Sequence, residues 1–171
     1  MNNIMLDLET MGTGANSAII AIGAVKFSSK IDDRFYAAID LDSCLDAGLD
    51  VDGKTIMWWL KQSDDARAQF TKNITVGLSY ALKLFSDWIG ENAIIWGNGA
   101  AFDNAILSNA YRALTIKQPW FFWNDRCYRT VANFFPPLVT KPERIGTYHN
   151  AVDDAESQAL HLISIGGELL K

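Results

Sequence analysis

The chain has 171 residues, 49% of them apolar and 20% charged, which fits one folded domain and argues against disorder. Its net charge of -5 speaks against coating duplex nucleic acid by bulk electrostatics, although bound divalent cations would reverse the sign locally. Cys44 and Cys127 match no disulfide framework or zinc spacing, no apolar run reaches the roughly 18 residues of a membrane span, and the N-terminus lacks a signal-peptide pattern, so the cytoplasm is the expected location.

Ile4 to Leu8 reads as a strand and Ala18 to Phe27 as a second, joined by the turn-rich segment 10–17. After a turn over Ser28 to Asp33, Arg34 to Leu41 completes a predicted antiparallel meander. Asp40, Asp42, Asp46, Asp50 and Asp52 lack the spacing of a calcium loop and read as loop solvation. The period then lengthens. Thr55 is the expected cap of a helix with Ile56, Trp59 and Leu60 on one side, and Thr75 that of a helix carrying Leu78, Leu82, Phe85, Trp88 and Ile89 up to Gly90.

Ala93 to Trp96 is a buried strand that turns at Gly97-Asn98-Gly99. An amphipathic helix follows from Asp103 to Leu114, with Ile106, Leu107, Ala110 and Tyr111 inward. Trp120 to Trp123 is the expected last strand, and a helix from Asn124 to Phe134 is stopped by Pro136-Pro137. Leu138 to Tyr148 is a loop with Lys141 and Arg144. The final helix, Asn150 to Ile165, aligns Val152, Ala155, Ala159, Leu162 and Ile163 before Gly166-Gly167. Strands before and between helices predict an α/β fold with a mixed sheet.

Asp7 and Glu9 stand two apart on the first strand and so share a face, opposite Ile4, Leu6 and Leu8. Two carboxylates side by side on a buried strand are unfavourable without compensation, and a metal ion supplies it. An exposed edge strand whose acids meet water would also carry Asp-x-Glu. Asp103 either caps its helix or belongs to a site at the join of strand and helix, where the small residues Gly97, Gly99, Ala100 and Ala101 leave room for a substrate and Phe102 offers a flat apolar surface. Asp153 and Asp154 suit the first turn of any helix, whereas His149 sits on a loop from which it can reach a substrate. His161, inside the helix, has no expected chemical role.

Asp-x-Glu, Phe-Asp and His-x-Ala-x-x-Asp-Ala occur in this order over the chain. The arrangement resembles the DEDDh branch of the DnaQ-like 3'-5' exonucleases, which includes proofreading subunits, oligoribonuclease and ribonuclease T. Proofreaders place Asn four residues before the second-motif Asp, where this chain has Gly99, with Asn98 one earlier. Trp96-Gly-Asn-Gly-Ala-Ala-Phe-Asp-Asn104, Trp58-Trp-Leu-Lys-Gln62 and Arg126-Cys-Tyr-Arg-Thr130 are instead similar to phage DexA exonucleases and mycobacterial ribonuclease AS, and the opening Met-Asn-Asn-Ile-Met-Leu-Asp-Leu-Glu resembles prophage members of that subgroup.

The resemblance implies an RNase H-like fold, with a mixed five-stranded sheet flanked by helices, formed by residues 1–171 as one exonuclease domain. It implies Asp7, Glu9, Asp103 and Asp154 as ligands of two Mg²⁺ or Mn²⁺ ions, His149 as general base, and Asp153 as a bystander. Hard oxygen donors suit those ions, and an imidazole titrates near neutral pH. Thr10, Met11, Asn98, Phe102 and Arg129 are the candidate substrate contacts, with Arg126, Lys141 and Arg144 as further phosphate partners. The resemblance also implies a single-stranded DNA or RNA 3' end as substrate and nucleoside 5'-monophosphates as products, and relatives of the ribonuclease AS type imply a homodimer. Trp59 is expected in the core and Trp58 at its boundary, on a nucleobase or in an interface. A catalytically inactive nucleic-acid-binding module and an RNase H-like endonuclease are the rival functions.

Overall fold

Strand β1 (Asn2–Thr10) sends Ile4, Leu6 and Leu8 into one core and Met5, on the opposite face, into another. A strand covered on both faces belongs inside a sheet. β1 is the middle of five strands in the order β3-β2-β1-β4-β5, antiparallel to β2 (Ile19–Phe27) and parallel to β4 (Ala93–Gly97). β3 (Ile31–Ala38) and β5 (Asp125–Cys127) form the edges. This is the mixed sheet expected from the sequence. The computed structural model describes residues 2–71, 74–135, 143–144 and 146–166, so the expected helix stop at Pro136-Pro137, Lys141 and Gly167 lie outside the described residues.

Helices cover both faces. The larger core, on the face of Leu6, takes Cys44 of α1 (Leu41–Asp46), Trp59 of α2 (Gly53–Trp59), Ala66 of α3 (Asp64–Thr71), Leu82 and Phe85 of α4 (Leu78–Ile89), and Ile106 and Tyr111 of α5 (Asp103–Ala113). The smaller core, on the face of Met5, takes Tyr128 of α6 (Tyr128–Phe134) and Ala155, Ala159 and Leu162 of α7 (Ala151–Ile165). Asp7 and Glu9 share the face of Met5, under α7. Among the described residues no helix is long and apolar enough to cross a membrane.

Several expected boundaries move for identifiable reasons. Trp120 to Trp123 is not a strand: Phe122–Asn124 forms a 3-10 turn with Phe122 and Trp123 exposed, and the fifth strand is the three-residue β5, which begins where its backbone meets Ile95 of β4. The following helix therefore starts at Tyr128 rather than Asn124. β3 begins at Ile31 rather than Arg34, because an edge strand tolerates the exposed Asp32, Asp33 and Arg34. Asp52, not Thr55, caps α2 by accepting from the Lys54 amide (2.9 Å). α4 starts after Gly77 instead of Thr75, with its Leu78 amide bound by Ser43 Oγ (2.9 Å) from α1. The acidic segment read as loop solvation contains α1, and Asp50 accepts from Asn16 Nδ2 (2.6 Å).

Candidate active site

β1 outruns its parallel neighbour. β1 pairs with β4 only as far as Leu6 opposite Gly97, so the Leu8 amide beyond it needs another acceptor. Asp103 Oδ1 supplies it at 3.2 Å. Asp103 is thus the first residue of α5, with Phe102 at the cap position, and its buried carboxylate turns back to β1 instead of capping the helix. Gly97 makes this possible: a Cβ there would lie 2.3 Å from Asn104 Oδ1 and 3.2 Å from Asp103 Cβ. Asn104 locks the helix start by donating to the Ile95 carbonyl (3.1 Å) and Asp125 (2.9 Å).

The third segment arrives through another glycine. Asp7 pairs with Gly23 of β2, and a Cβ on Gly23 would lie 2.1 Å from Ala151 C and 2.2 Å from Val152 N. The backbone of α7 therefore rests on β2 beside the acid pair. Asn150 caps α7 through the Val152 and Asp153 amides (3.1 and 3.2 Å), and Arg34 of β3 pairs with Glu156. Asp154 Oδ2 accepts the His149 amide (3.1 Å), its Oδ1 pairs with Arg144, and His149 takes a left-handed backbone (φ 61°). Asp153 instead accepts the Thr147 amide (2.8 Å) and packs against Gly146, so its carboxylate is engaged by the loop that precedes α7.

One ligand atom each of Glu9, His149 and Asp154 lie within 4.8 Å of one another among the described residues. Asp7 and Asp103 stand outside this trio but are coupled to it by charge, Asp103 acting on Glu9, and Glu9 and Asp154 acting on Asp7. Burial, then Asp103, Glu9 and Asp154, hold the Asp7 carboxyl well above its ordinary value, against a hydrogen bond from Gln158. Burial, then Asp154 and Asp103, push Glu9 to about 8 despite Arg144. Burial pushes Asp103 to about 6, against the hydrogen bond from Leu8. Buried Glu9 Oε1 has no hydrogen-bond partner among the described residues. Acids gathered this closely, all hard oxygen donors, with one such oxygen unsatisfied, fit a divalent cation of the magnesium type.

Burial and mutual repulsion make the stability of the cation-free protein depend on pH. Each folded-state value exceeds the ordinary one, so each acid's stabilising contribution is complete below about 4 and is lost as pH rises through about 6 for Asp103 and about 8 for Glu9. The melting temperature of the cation-free protein is expected to fall between pH 5 and pH 8, and added Mn²⁺ to reverse the slope. A flat profile in differential scanning fluorimetry without the cation would contradict this electrostatic account.

Two cavities meet here. One of about 510 Å³ is lined by Asp7, Glu9, Asn98, Tyr128, Arg144, His149, Asp154 and Gln158. The other, of about 480 Å³, is lined by Leu8, Glu9, Thr10, Thr55, Trp58, Trp59 and Phe102 and is mostly apolar. Glu9 belongs to both. Trp59 is buried, donating from Nε1 to the Thr10 carbonyl (2.9 Å), as expected of a core residue. Trp58 is 42% exposed and meets the His149 ring edge to face, with centroids 4.9 Å apart.

The other expected contacts divide. Thr10, Phe102 and Asn98 line the cavities, while Met11 is packed in the larger core. Arg129 is exposed and donates to the Asn98 carbonyl (2.6 Å), so it braces the turn after β4. Arg126 is engaged by the Trp123 and Asp125 carbonyls (2.8 and 2.9 Å) at the start of β5. His161 is buried against Tyr128, with Nδ1 and the hydroxyl 2.8 Å apart. Tyr128 and Gln158 were missed by sequence reasoning. A polar side chain on the apolar stripe of α7, one turn after Asp154, was the available signal for Gln158.

The family model described as the 3'-5' exoribonuclease Rv2179c-like domain matches residues 2–165. The exodeoxyribonuclease of enterobacteria phage T4 is 27% identical over 167 aligned residues, covering 76% of this chain and 70% of that protein. Among solved structures, the nuclease domain of 3'hExo, a DEDDh family member bound to rAMP, superposes with a TM-score of 0.60 at 14% identity, covering 95% of this chain and 90% of that one. Exonuclease I of E. coli in complex with a dT13 oligonucleotide gives 0.64 at 14% identity, covering 95% of this chain but 40% of the other. These structural likenesses show that the chain shares the fold of these proteins, a mixed five-stranded sheet flanked by helices.

Proposed function

Because this chain belongs to the 3'-5' exoribonuclease Rv2179c-like domain family, we propose that its two adjoining cavities form the active site of a DEDDh exonuclease. Residues 1–171 act as one catalytic domain. It removes nucleoside 5'-monophosphates from single-stranded DNA or RNA 3' ends. The observation that carries this reading is the convergence of Asp7, Glu9, His149 and Asp154 on one cavity, with Asp103 held to β1 by the Leu8 amide, beside an apolar cavity of nucleotide size.

Asp7, Glu9, Asp103 and Asp154 would hold two Mg²⁺ or Mn²⁺ ions, which when bound stabilise the charge that develops on the entering and leaving oxygens. A ring nitrogen of His149 takes the proton of the attacking water. The apolar cavity receives the terminal nucleobase between Trp58 and Phe102, and Trp58 holds the His149 ring at the same time. Asn98 and Thr10 border the strand's path. Arg144, paired with Asp154 in the lining of the polar cavity, is the cation offered to a phosphate. The exposed aromatic patch of Phe121, Phe122 and Trp123 suits the contact of a homodimer, which the mass in solution would reveal.

The decisive experiment uses 5'-labelled linear DNA and RNA strands and a circular single strand, with Mg²⁺ or Mn²⁺ and with chelator. The expected result is a ladder shortening from the 3' end, arrest by chelator and an intact circle. A cut circle would establish the endonuclease reading, and binding without cleavage the inactive module.

Trp58→Ala removes one wall of the base cavity and the contact to His149 together. Base stacking is worth roughly 1 to 3 kcal/mol, so the Michaelis constant should rise about 5- to 160-fold, with a fall in turnover. Turnover and Michaelis constant both unchanged would place the base elsewhere.

A further inference from the structure

Gln158 lies one helical turn after Asp154 on the same face of α7, with 9% of its surface exposed. Its Nε2 donates to Asp7 Oδ1 at 2.8 Å, while its Oε1 is buried in the cavity wall without a partner among the described residues. A buried polar atom left unpaired opposes folding, so an amide is a poor filler for this position. An apolar side chain of the same length would pack there without that penalty. What the amide alone provides is a donor that fixes one oxygen of Asp7.

We propose that Gln158 is a positioning residue that orients the Asp7 carboxylate to bind a divalent cation. The inference rests on the proposed role of Asp7 as a ligand. A neutral donor suits this role, since a Lys or Arg here would compete with the cation for the carboxylate, and another acid would add to the repulsion already acting on Asp7. Partners that orient a ligand from behind typically change metal affinity by roughly 10- to 100-fold.

The test compares the Mn²⁺ affinity of the native chain, Gln158→Met and Asp7→Asn by titration under electron paramagnetic resonance, alongside the cation-free melting temperature. Gln158→Met keeps volume and removes both polar atoms, and Gln158→Leu serves if the thioether bends into the cavity. The expected result is a melting temperature unchanged or raised together with Mn²⁺ affinity lowered roughly 10- to 100-fold. In an Asp7→Asn background the same substitution should have no further effect. If Asp7→Asn weakens Mn²⁺ binding but Gln158→Met leaves it unchanged, Gln158 only fills space and the proposal fails alone. If Asp7→Asn leaves Mn²⁺ binding unchanged, the proposal and the ligand assignment fall together.

Discussion

Asp7→Asn is expected to abolish cleavage, with a loss of about 10²- to 10³-fold or more, while the chain stays folded. The amide oxygen can still accept from Gln158, and one charge is removed from a group of acids whose burial and mutual repulsion oppose ionisation. The cation-free melting temperature should therefore hold or rise. Stabilisation by Mn²⁺ should shrink in parallel with activity. Asp154→Asn gives the same loss of cleavage, but it also gives up the pair with Arg144, so its cation-free stability should be lower than that of Asp7→Asn. Full activity of either purified variant would overturn the ligand assignment.

Gly23→Ala should be nearly as damaging, although residue 23 carries no chemistry. Its added Cβ would lie about 2.1 Å from the backbone of Ala151, and backbone cannot swing aside as a side chain can. Overpacking of this kind costs roughly 1 to 3 kcal/mol, a fall of about 2 to 12 °C in melting temperature for a chain of this size. The start of α7 must lift, taking His149 and Asp154 with it. A displacement of about 1 Å can lower turnover about 10²-fold. Gly14→Ala is the control, since a Cβ there meets nothing within 4 Å. Equal activity in the two variants would show that α7 is not seated through Gly23.

Much of this arrangement was legible in the chain. Period-two alternation in Ile4 to Leu8 located the central strand, and the apolar stripe of Ala155, Ala159 and Leu162 located α7. Both are buried by the contacts that the pattern implies. Asp7 and Glu9 were readable because carboxylates beside buried strand residues demand compensation, whereas Asp103 and Asp154 looked like ordinary helix-start acids and were singled out only by the resemblance. Trp120 to Trp123 misled because aromatic side chains look like a strand, whereas Phe121 stacks on Trp123 in the open and β5 is defined by backbone pairing that no side chain announces. The joint role of Trp58 as wall of one cavity and neighbour of His149 in the other depends on contacts between distant segments. Local pattern carries no record of them.

The hydrogen bond between Asp103 and the Leu8 amide joins residues 95 apart, and that between Gln158 and Asp7 joins residues 151 apart. Contacts of such separation form late, because the intervening chain must first be gathered in. During synthesis the ribosome releases Asp7 and Glu9 early, but Asp154 and Gln158 emerge only when α7 has been made. On the proposed assignment, a nascent chain would therefore present Asp7 and Glu9 without the groups that complete their site. On the same assignment, catalytic competence would wait for the docking of α7, so the order of synthesis itself would delay the activity.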